Sequence, residues 1–428
     1  MVENVGLKYP TSMQIEVTEN CNHNCFYCYN HWRDDNATDN MTREDAEILS
    51  DKIINDIKPF HIVLTGGEPL INFDITLYLM KRFEEAKIFN NLNSNLILLT
   101  KERLDKILDL KPNLQILTSI PNHKKELYKQ VTGKNNLSIF YENLENALRK
   151  GVHIVPNMVF HKLNKEYIYE TGKYLHENYG IKNFAATPLI NPSKREVPYI
   201  LSKEEMTKPL EDLIKLRDDF GIKISSLEVI PLCALPKHLR EESILNKKCS
   251  AGSTSFTISP KGDVRACGHS PIKEGNLKSQ SFKEIWKTLK PYRKNHYIPK
   301  ECLENCVEVE FCHGGCRFES YQEGENLNKK DSRMSYPLKQ QIKRNGMQSI
   351  ELNKKYFISD FVWREESEKQ YVLFNGEILY ANKGLRDFLI NLQKQGNFNL
   401  SEFPENMQTK AKNLGKVLLS KKFLIHKK

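Results

Sequence analysis

Three cysteines lie within eight positions near the start of the chain, in the segment CNHNCFYCYN. Cys21, Cys25 and Cys28 follow the pattern C-x3-C-x2-C. A structural zinc site would need a fourth nitrogen or sulfur ligand, because zinc in such sites is tetrahedral. A cubane iron–sulfur cluster can be held by three thiolates, which leaves one iron for another ligand. The triad alone therefore indicates a metal site and leaves its metal open.

A second group of cysteines lies beyond the midpoint of the chain, at Cys233, Cys249, Cys267, Cys302, Cys306, Cys312 and Cys316. The N-terminal segment MVENVGLKYPTSMQIEV has no basic region followed by an apolar core, so we expect no secretory signal and cytoplasmic residence. Disulfides are rare in that compartment, so ten cysteines there indicate metal ligands or catalytic thiols. A pair of zinc knuckles is an alternative for the second group.

Strand and helix patterns alternate over residues 13 to about 230. The predicted strands are 13–17, 60–64, 89–93, 114–120, 152–160 and 183–189. The predicted helices are one opened by the capping-box residues Thr42 and Asp45 and others at 74–86, 137–149 and 203–219. This repeat predicts an α/β fold with a parallel sheet and outer helices. About six units indicate a partial (β/α)6 TIM-like barrel.

Two motifs follow consecutive strands of this predicted sheet. The cysteine triad follows the first strand, and the sequence TGGEP follows the second. Barrels of parallel strands carry their chemistry on the loops after the strand C-termini. We therefore expect the two motifs at the same edge of the sheet.

The pattern changes after residue 230. Residues 231–335 are rich in cysteine and poor in helical patterns, and FTISPKGDVRACG predicts a hairpin around Lys261 and Gly262. Residues 336–428 are predicted to form a polar, lysine-rich linker and then a small α+β domain. That domain begins with strand-like segments and continues with helical patterns at 385–393 and 407–419. The predicted domains are thus 1–230, 231–335 and 336–428.

The composition is typical of a globular protein, with 39% hydrophobic and 28% charged residues among 428. The sequence contains no apolar run of about 18 residues, so we expect no membrane partner. The net charge of +10 suits nucleic acid, an acidic peptide, an anionic cofactor or merely a lysine-rich solvated surface. The charge alone selects none of these.

The segment CNHNCFYC, followed downstream by GGEP, resembles the radical SAM enzymes. The resemblance implies that the triad binds three irons of a [4Fe–4S] cluster. S-adenosyl-L-methionine (SAM) would chelate the fourth iron and, on reduction, release a 5′-deoxyadenosyl radical that abstracts hydrogen from the substrate. The missing fourth ligand of the triad would then be the cofactor site.

The resemblance also implies contacts to SAM at the ends of the strands. Gly66 and Gly67 would allow close backbone approach, and Glu68 would accept a hydrogen bond from the cationic ammonium group. The other implied contacts are Tyr27 near the adenine, Ser94 and Asn95 near the ribose, and Ser119 and Asn157 near the methionine end. A turn role for Ser94 and a structural role for Asn157 are the alternatives.

The second cysteine group resembles the SPASM extension of radical SAM enzymes, which holds two auxiliary [4Fe–4S] clusters. By this resemblance Cys249, Cys267 and Cys316 serve the first cluster, with Cys233 as a candidate fourth ligand or a free buried thiol. Cys302, Cys306 and Cys312 serve the second. The sequence departs from the pattern, because three residues separate Cys302 from Cys306 and no cysteine follows Cys316. Seven cysteines for eight positions leave one iron open or bound by an oxygen ligand such as Asp331, so one or two auxiliary clusters are expected.

The C-terminal segment resembles the PqqD-like fold of peptide recognition, a small winged-helix-like domain that binds a leader peptide as an added strand. An unrelated dimerisation or capping domain is the alternative. SPASM proteins mostly modify peptides or proteins. The expected function is therefore maturation of a ribosomally made precursor peptide, with an acidic leader as a suitable partner and a flavodoxin- or ferredoxin-type electron donor.

Two other functions are weighed against this one. A sulfatase-maturase-like enzyme would have the same cluster modules without needing the terminal domain. A zinc-binding nucleic-acid protein would leave GGEP and the strand–helix alternation unexplained, and no basic stripe interleaved with aromatic residues is present. We therefore expect no nucleic-acid partner. The sequence points to no catalytic acid, base or hydrogen donor.

Overall fold

The computed structural model describes residues 7–30, 38–190, 198–245, 247–319, 321, 326–342, 351, 353–367 and 370–426. The chain divides into two compact units. The larger unit is Pro10–Lys343, and the smaller one is Arg344–Lys428 together with Met1–Tyr9. Residues 343–350 of the predicted linker lie outside the described residues.

The larger unit is built around one sheet of ten strands. Its elements are, in chain order, β1 (Ser12–Glu16), α1 (Arg43–Lys52), β2 (His61–Thr65), α2 (Phe73–Glu85), β3 (Phe89–Asn93), α3 (Lys101–Leu110), β4 (Gln115–Ser119), α4 (Lys125–Thr132), α5 (Leu137–Arg149), β5 (His153–Phe160), α6 (Ile168–Tyr179), β6 (Asn183–Pro188), α7 (Thr207–Phe220), β7 (Lys223–Ser225), α8 (Lys237–Arg240), β8 (Thr257–Ile258), β9 (Asp263–Arg265), β10 (Gly275–Asn276), α9 (Phe282–Thr288), α10 (Lys290–Arg293), α11 (Lys300–Asn305) and α12 (Val309–Cys312). The strand order is β10-β9-β8-β1-β2-β3-β4-β5-β6-β7.

Strands β1 to β7 run parallel to their neighbours, so their C-terminal ends meet at one edge of the sheet. The predicted α/β fold is confirmed, and a strand is present at each of the six predicted places. The seventh strand, β7, was not predicted. It has only the three residues Lys-Ile-Ser, too few to show a strand pattern.

The helices begin and end at residues with clear physical roles. At the start of α1, the side chain of Thr42 accepts from the Asp45 N–H, and the Asp45 carboxylate accepts from the Thr42 N–H, which confirms the predicted capping box. Helix α7 begins at Thr207, four residues later than predicted. Pro209 explains the difference, because proline is tolerated only in the first turn of a helix. Among the described residues, no helix is long and apolar enough to cross a membrane.

The predicted hairpin joins the cysteine-rich segment to the strand before the triad. Strands β8 and β9 pair antiparallel on either side of Gly262, whose φ of +88° suits a turn. Strand β8 also pairs parallel with β1, with Gln14 opposite Thr257. Arg265 of β9 forms a buried ion pair with Glu16 of β1. The hairpin therefore brings the segment just before Cys267 close to β1, the strand that precedes the triad.

The described residues of the smaller unit form two antiparallel sheets of three strands each. Its elements are β11 (Lys355–Ile358), β12 (Val362–Ser367), β13 (Gln370–Phe374), β14 (Ile378–Ala381), α13 (Lys383–Gln395), β15 (Asn397–Asn399), α14 (Glu405–Ser420) and β16 (Leu424–Ile425). The sheet orders are β15-β11-β16 and β12-β13-β14. Buried Tyr356, Leu373, Leu389 and Phe423 belong to a core of its own. The predicted α+β content is present, and the PqqD-like role stays a prediction.

Candidate active site

The loop after β1 carries the cysteine triad. Cys21 is exposed, Cys25 and Cys28 are half-buried, and the three form no disulfide. The Cys28 N–H donates to the Cys25 carbonyl oxygen at 3.2 Å, which forms a tight turn between them. The Asn24 N–H donates to the Thr132 carbonyl oxygen at 2.9 Å and ties the loop to the end of α4. The three thiols are thus held within one anchored loop.

The glycines of GGEP clamp the loop after β2 against this cysteine loop. A Cβ atom on Gly66 would lie 2.3 Å from the Thr18 carbonyl oxygen, and one on Gly67 would lie 2.2 Å from the Asn20 carbonyl oxygen. Gly66 also adopts a φ of +145°, which L side chains rarely take. The Gly67 N–H donates to the Thr18 carbonyl oxygen at 2.7 Å. The close approach predicted for these glycines is therefore, in this structure, to the chain's own backbone.

A cavity of about 340 Å³ lies at this edge of the sheet. All three triad cysteines line it. So do seven of the eight predicted cofactor contacts, namely Tyr27, Gly66, Gly67, Ser94, Asn95, Ser119 and Asn157. The structure thus brings the two motifs together, as their places after consecutive parallel strands predicted.

Glu68 is the predicted contact that does not line the cavity. It is 1% exposed, and its Oε1 accepts from the Ser94 hydroxyl at 2.8 Å and from the Leu70 N–H at 3.1 Å. Its Oε2 accepts from the Asn95 N–H at 2.8 Å. Burial raises the pKa of Glu68 to about 7, although these hydrogen bonds lower it. The carboxylate fixes the Ser94–Asn95 turn. Its contact with the ammonium group stays a prediction; Oε1 already accepts two hydrogen bonds, so Oε2, which accepts one, is the oxygen with room for it.

Ser119 is the last residue of β4, and it pairs in register with Asn157 within β5. The side chain of Asn157 is buried, and its Oδ1 accepts from the Thr187 hydroxyl at 2.8 Å. The Thr187 hydroxyl oxygen in turn accepts from the Leu227 N–H at 3.2 Å. Asn157 therefore forms a hydrogen bond within the protein and also lines the cavity, so its structural role and its predicted cofactor contact are compatible.

The wall beside the triad is aromatic and uncharged. Burial raises the pKa of Tyr27 well above its usual value, and the nearby Cys25 and Cys28 raise it further. The His23 ring is buried, with Nε2 3.3 Å from the Asn136 Oδ1. Burial lowers the pKa of His23 to about 4, so the imidazole is neutral at pH 7. This wall suits a flat aromatic group such as adenine.

Four cysteines of the second group surround a separate small cavity, at Cys233, Cys302, Cys306 and Cys312. The Leu232 N–H donates to the Cys312 Sγ at 3.3 Å, which ties the turn after β7 to α12. Burial raises the pKa of Cys302 to about 12, and the other three thiols add to this. We call these residues the four-cysteine group. Four thiols are the ligand number of a cubane cluster.

The remaining cysteines, Cys249, Cys267 and Cys316, form the three-cysteine group. Burial raises the pKa of Cys316 well above its usual value, and the charges of Glu228, Cys249 and Cys267 raise it further, so these groups are close neighbours. Ligand atoms of Glu228, His269 and Cys316 lie within 4.8 Å of one another. The group thus has three thiols and two other donor side chains at its border.

This division bears on two possibilities that the sequence left open. Cys233 was a candidate fourth ligand of the three-cysteine group or a free buried thiol; in the structure it lines the four-cysteine cavity, because the turn that carries it is bonded to α12. An iron left without a cysteine was expected to stay open or to take an oxygen ligand such as Asp331. The Asp331 carboxylate is instead held by Arg333, whose Nε and Nη2 donate at 2.8 and 2.6 Å. Asp331 does not line the four-cysteine cavity, which already has four thiols.

Three other residues that line the main cavity were not predicted from the sequence: Tyr29, Glu228 and His269. The rings of Tyr29 and His269 meet edge to face, with centroids 4.4 Å apart. His269 lies two residues after Cys267, and this spacing is a signal for a metal ligand or for a residue that holds a ligand in place. Glu228 has no such signal, because it follows β7, the strand that the sequence did not predict.

Two family models match the chain. The Radical SAM superfamily matches residues 15–175, and SPASM, an iron–sulfur cluster-binding domain, matches residues 249–316. The chain carries a radical SAM domain and a SPASM domain. The first contains the triad and GGEP, and the second contains six of the seven other cysteines. The protein therefore uses SAM and a [4Fe–4S] cluster, and its SPASM domain binds auxiliary iron–sulfur clusters.

The similar proteins act on different kinds of substrate. The AdoMet-dependent heme synthase of Methanosarcina barkeri is 25% identical over 336 residues, which is 73% of this chain and 92% of that protein. The PqqA peptide cyclase of Bradyrhizobium diazoefficiens is 23% identical over 339 residues, 73% of this chain and 82% of that protein. Streptococcus suis SuiB, solved with its precursor peptide SuiA, has a TM-score of 0.62 at 18% identity and covers 76% of each chain. This last likeness shows the fold.

The cavity wall fits SAM. The triad supplies three thiols, so a cubane there keeps one iron for a chelating cofactor. Asn30 is buried and lines the cavity, and its Nδ2 donates to the Gly66 carbonyl oxygen at 3.3 Å. The Asn30 Oδ1 is buried with no hydrogen-bond partner in the described part of the chain. Since buried polar atoms are normally satisfied, a donor from the cofactor is a fitting partner.

Proposed function

We propose that this protein modifies a ribosomally made precursor peptide by abstracting hydrogen from one of its residues. The observation that carries the proposal is the separate C-terminal unit, whose small antiparallel sheets have outer strands that can pair with an extended peptide. The similarity to a peptide cyclase and to SuiB supports the same substrate class. The product would be a cross-link, a thioether, an epimerised centre or an excised backbone segment.

The residues of the radical SAM domain would bind and orient the cofactor. When bound, SAM supplies a 5′-deoxyadenosyl radical after it accepts an electron from the cluster. The triad holds three irons, and Glu68 fixes the turn of Ser94 and Asn95 where the ribose is expected. The side chain of Asn157, held by Thr187, lines the same cavity. Hydrogen bonds that hold these side chains in place would keep a bound cofactor in one orientation.

The charge of the C-terminal unit supports an acidic leader peptide. Residues 351–428 contain 14 Lys and Arg against 9 Asp and Glu. Three of the lysines, at Lys410, Lys412 and Lys416, lie on α14. Opposite charge steers an acidic partner toward this unit and raises its rate of association.

The reaction needs an electron from outside the chain. We propose a flavodoxin- or ferredoxin-type donor and a cytoplasmic location, where such donors and reduced thiols occur together. This part of the proposal rests on the ten cysteines, none of which forms a disulfide in the structure.

A second candidate is a reaction on a substrate that has no leader. The similarity to a heme synthase over 92% of that protein favours a small molecule, and sulfatase-maturase-like chemistry would act on a protein side chain. Neither reaction would need the C-terminal unit for substrate binding. The need for that unit therefore separates these candidates from the precursor-peptide proposal.

The test is peptide-dependent turnover by the anaerobically reconstituted protein. Short peptides encoded beside its gene would be incubated with the protein, SAM and a reductant. We expect one of them to raise 5′-deoxyadenosine formation above the uncoupled rate and to lose hydrogen or backbone mass in the mass spectrum. The triple variant Cys21→Ala, Cys25→Ala, Cys28→Ala is the control without the SAM-binding cluster. Cofactor cleavage that no peptide stimulates, together with turnover of a small molecule, would contradict the proposal.

A further inference from the structure

The three-cysteine group is one ligand short of a complete cubane. A [4Fe–4S] cluster has four irons to ligate, and this group offers Cys249, Cys267 and Cys316. The other seven cysteines of the chain belong to the triad and to the four-cysteine group. No cysteine is left for the fourth iron.

A carboxylate and an imidazole border this group. Donor atoms of Glu228 and His269 lie within 4.8 Å of each other and of the Cys316 Sγ. The Glu228 Oε2 is 3.5 Å from the His269 Nδ1. Glu228 and His269 are therefore close neighbours of Cys316, and His269 lies two residues after Cys267.

The segment that carries Glu228 is anchored on both sides. The Leu227 N–H donates to the Thr187 hydroxyl at 3.2 Å, and the Lys247 Nζ donates to the Ser226 carbonyl oxygen. The Glu228 Oε1 accepts from the Val229 N–H at 3.1 Å. The side chain is only 11% exposed, and its ion pair in the described part of the chain is with His269. A carboxylate buried in this way is stabilised by a cation, and an iron is one.

We propose that the Glu228 carboxylate is the fourth ligand of the auxiliary [4Fe–4S] cluster held by Cys249, Cys267 and Cys316, with His269 holding its second oxygen. Residue 228 lies outside the segment 249–316 matched by the SPASM model, so the cysteine pattern does not reveal it. The inference concerns the cofactor and holds for any substrate.

The position of Glu228 places this ligand at the main cavity. Glu228 and His269 line the same cavity as the triad. A carboxylate is a harder ligand than a thiolate. An iron held by Glu228 would therefore differ in its ligand from the other irons of the cluster, and it would lie beside the cavity that the triad lines. The four-cysteine group has no such position, because thiols occupy all four.

The experiment uses the full-length triple-alanine variant of the triad, reconstituted with iron and sulfide, so that only auxiliary clusters remain. In that background, Glu228→Ala, Glu228→Cys and Glu274→Gln would be compared after reduction and addition of ¹³C-cyanide. Glu274 is the matched control, a half-buried carboxylate of the same region that accepts from the Tyr292 hydroxyl at 3.1 Å. The readout is ¹³C hyperfine coupling in pulsed EPR, together with the iron count.

The proposal predicts ¹³C coupling in Glu228→Ala and its absence in the parent, in Glu228→Cys and in Glu274→Gln. The alanine opens the iron to cyanide, whereas a thiolate at residue 228 closes it again. Equal cyanide binding by the parent and Glu228→Ala would show that the iron is already open. Absence of binding in every protein at unchanged iron count would show that another residue is the fourth ligand. If Glu228→Ala loses the cluster, the Glu228→Cys spectrum decides, because restored iron with an altered EPR signal requires a ligand at this position.

Discussion

Cys21, Cys25 and Cys28 occupy one loop after β1, whereas the other seven cysteines form two groups with different neighbours. Loss of the triad should therefore leave the other clusters intact. We predict that the triple alanine variant lowers the iron content of anaerobically purified protein from about 12 to about 8 per chain. Iron and sulfide assays on both proteins measure this. A fall from about 8 to about 4 would mean that one auxiliary group holds no cluster, and zinc in place of iron would contradict the cluster assignment.

Glu68 has its effect through the turn that it holds. Glu68→Gln keeps the size of the side chain but replaces one carboxylate oxygen with an NH2 group, which donates instead of accepting. If this group takes the place of Oε2, the acceptor of the Asn95 N–H is lost; if the amide rotates, the acceptor of the Ser94 hydroxyl is lost. A lost hydrogen bond to a charged group costs about 1.5–3 kcal/mol. We predict that the variant binds SAM about 10- to 100-fold more weakly.

Equilibrium dialysis of reconstituted protein with labelled SAM measures the effect of Glu68→Gln. The exposed Glu85→Gln on α2 is the matched control and should bind SAM as the parent does. Unchanged affinity at equal iron content in Glu68→Gln would show that the Ser94–Asn95 turn does not contribute to the cofactor site.

At the scale of elements, the contact between the loops after β1 and β2 is the tightest part of the site. A Cβ at residue 67 would lie 2.2 Å from the Asn20 carbonyl oxygen, a backbone atom that moves only with the cysteine loop. We predict that Gly67→Ala costs about 1–3 kcal/mol of stability, as overpacking does, and lowers cluster occupancy of the triad. Urea unfolding and the iron count measure both effects. Gly384→Ala in α13, where the new Cβ comes no nearer than 3.6 Å to the atoms around it, is the control and should not destabilise the protein. A stable Gly67→Ala protein with full iron would contradict the clamp.

The sequence predicts the elements that have long periodic patterns and misses those that depend on contacts across the chain. The six strands, the capping box at Thr42 and the hairpin at Gly262 follow from local chemistry. Strand β7 is formed by pairing with β6, which three residues cannot reveal. The same gap hid Glu228. For Cys233 the sequence left a ligand role and a free thiol open, and its place in the four-cysteine cavity depends on a turn that packs on α12. The motif spacing was therefore enough to locate the triad. Ligands that come from segments distant in the sequence could be identified only from the structure.

At the scale of the whole molecule, the chain has two compact units with separate cores. The triad, the four-cysteine group and the three-cysteine group all lie within Pro10–Lys343. The chemistry of the clusters thus does not require side chains of the C-terminal sheets. Under the proposed function, a peptide leader would instead pair with an outer strand of the smaller unit.

Removal of residues 351–428 tests this division of labour. We predict that the truncated protein keeps its iron and its uncoupled cleavage of SAM, but loses modification of the precursor peptide by at least about tenfold, because the leader no longer holds the core peptide at a high effective concentration. Mass spectrometry of the peptide and assay of 5′-deoxyadenosine measure the two activities on one sample. The matched variant in the full-length chain is Lys410→Glu, Lys412→Glu, Lys416→Glu. It should weaken the binding of an acidic leader, and most strongly at low salt, where charges are screened least. Unchanged peptide modification by the truncated protein would contradict leader binding by this unit, and loss of iron would show that the two units depend on each other for folding.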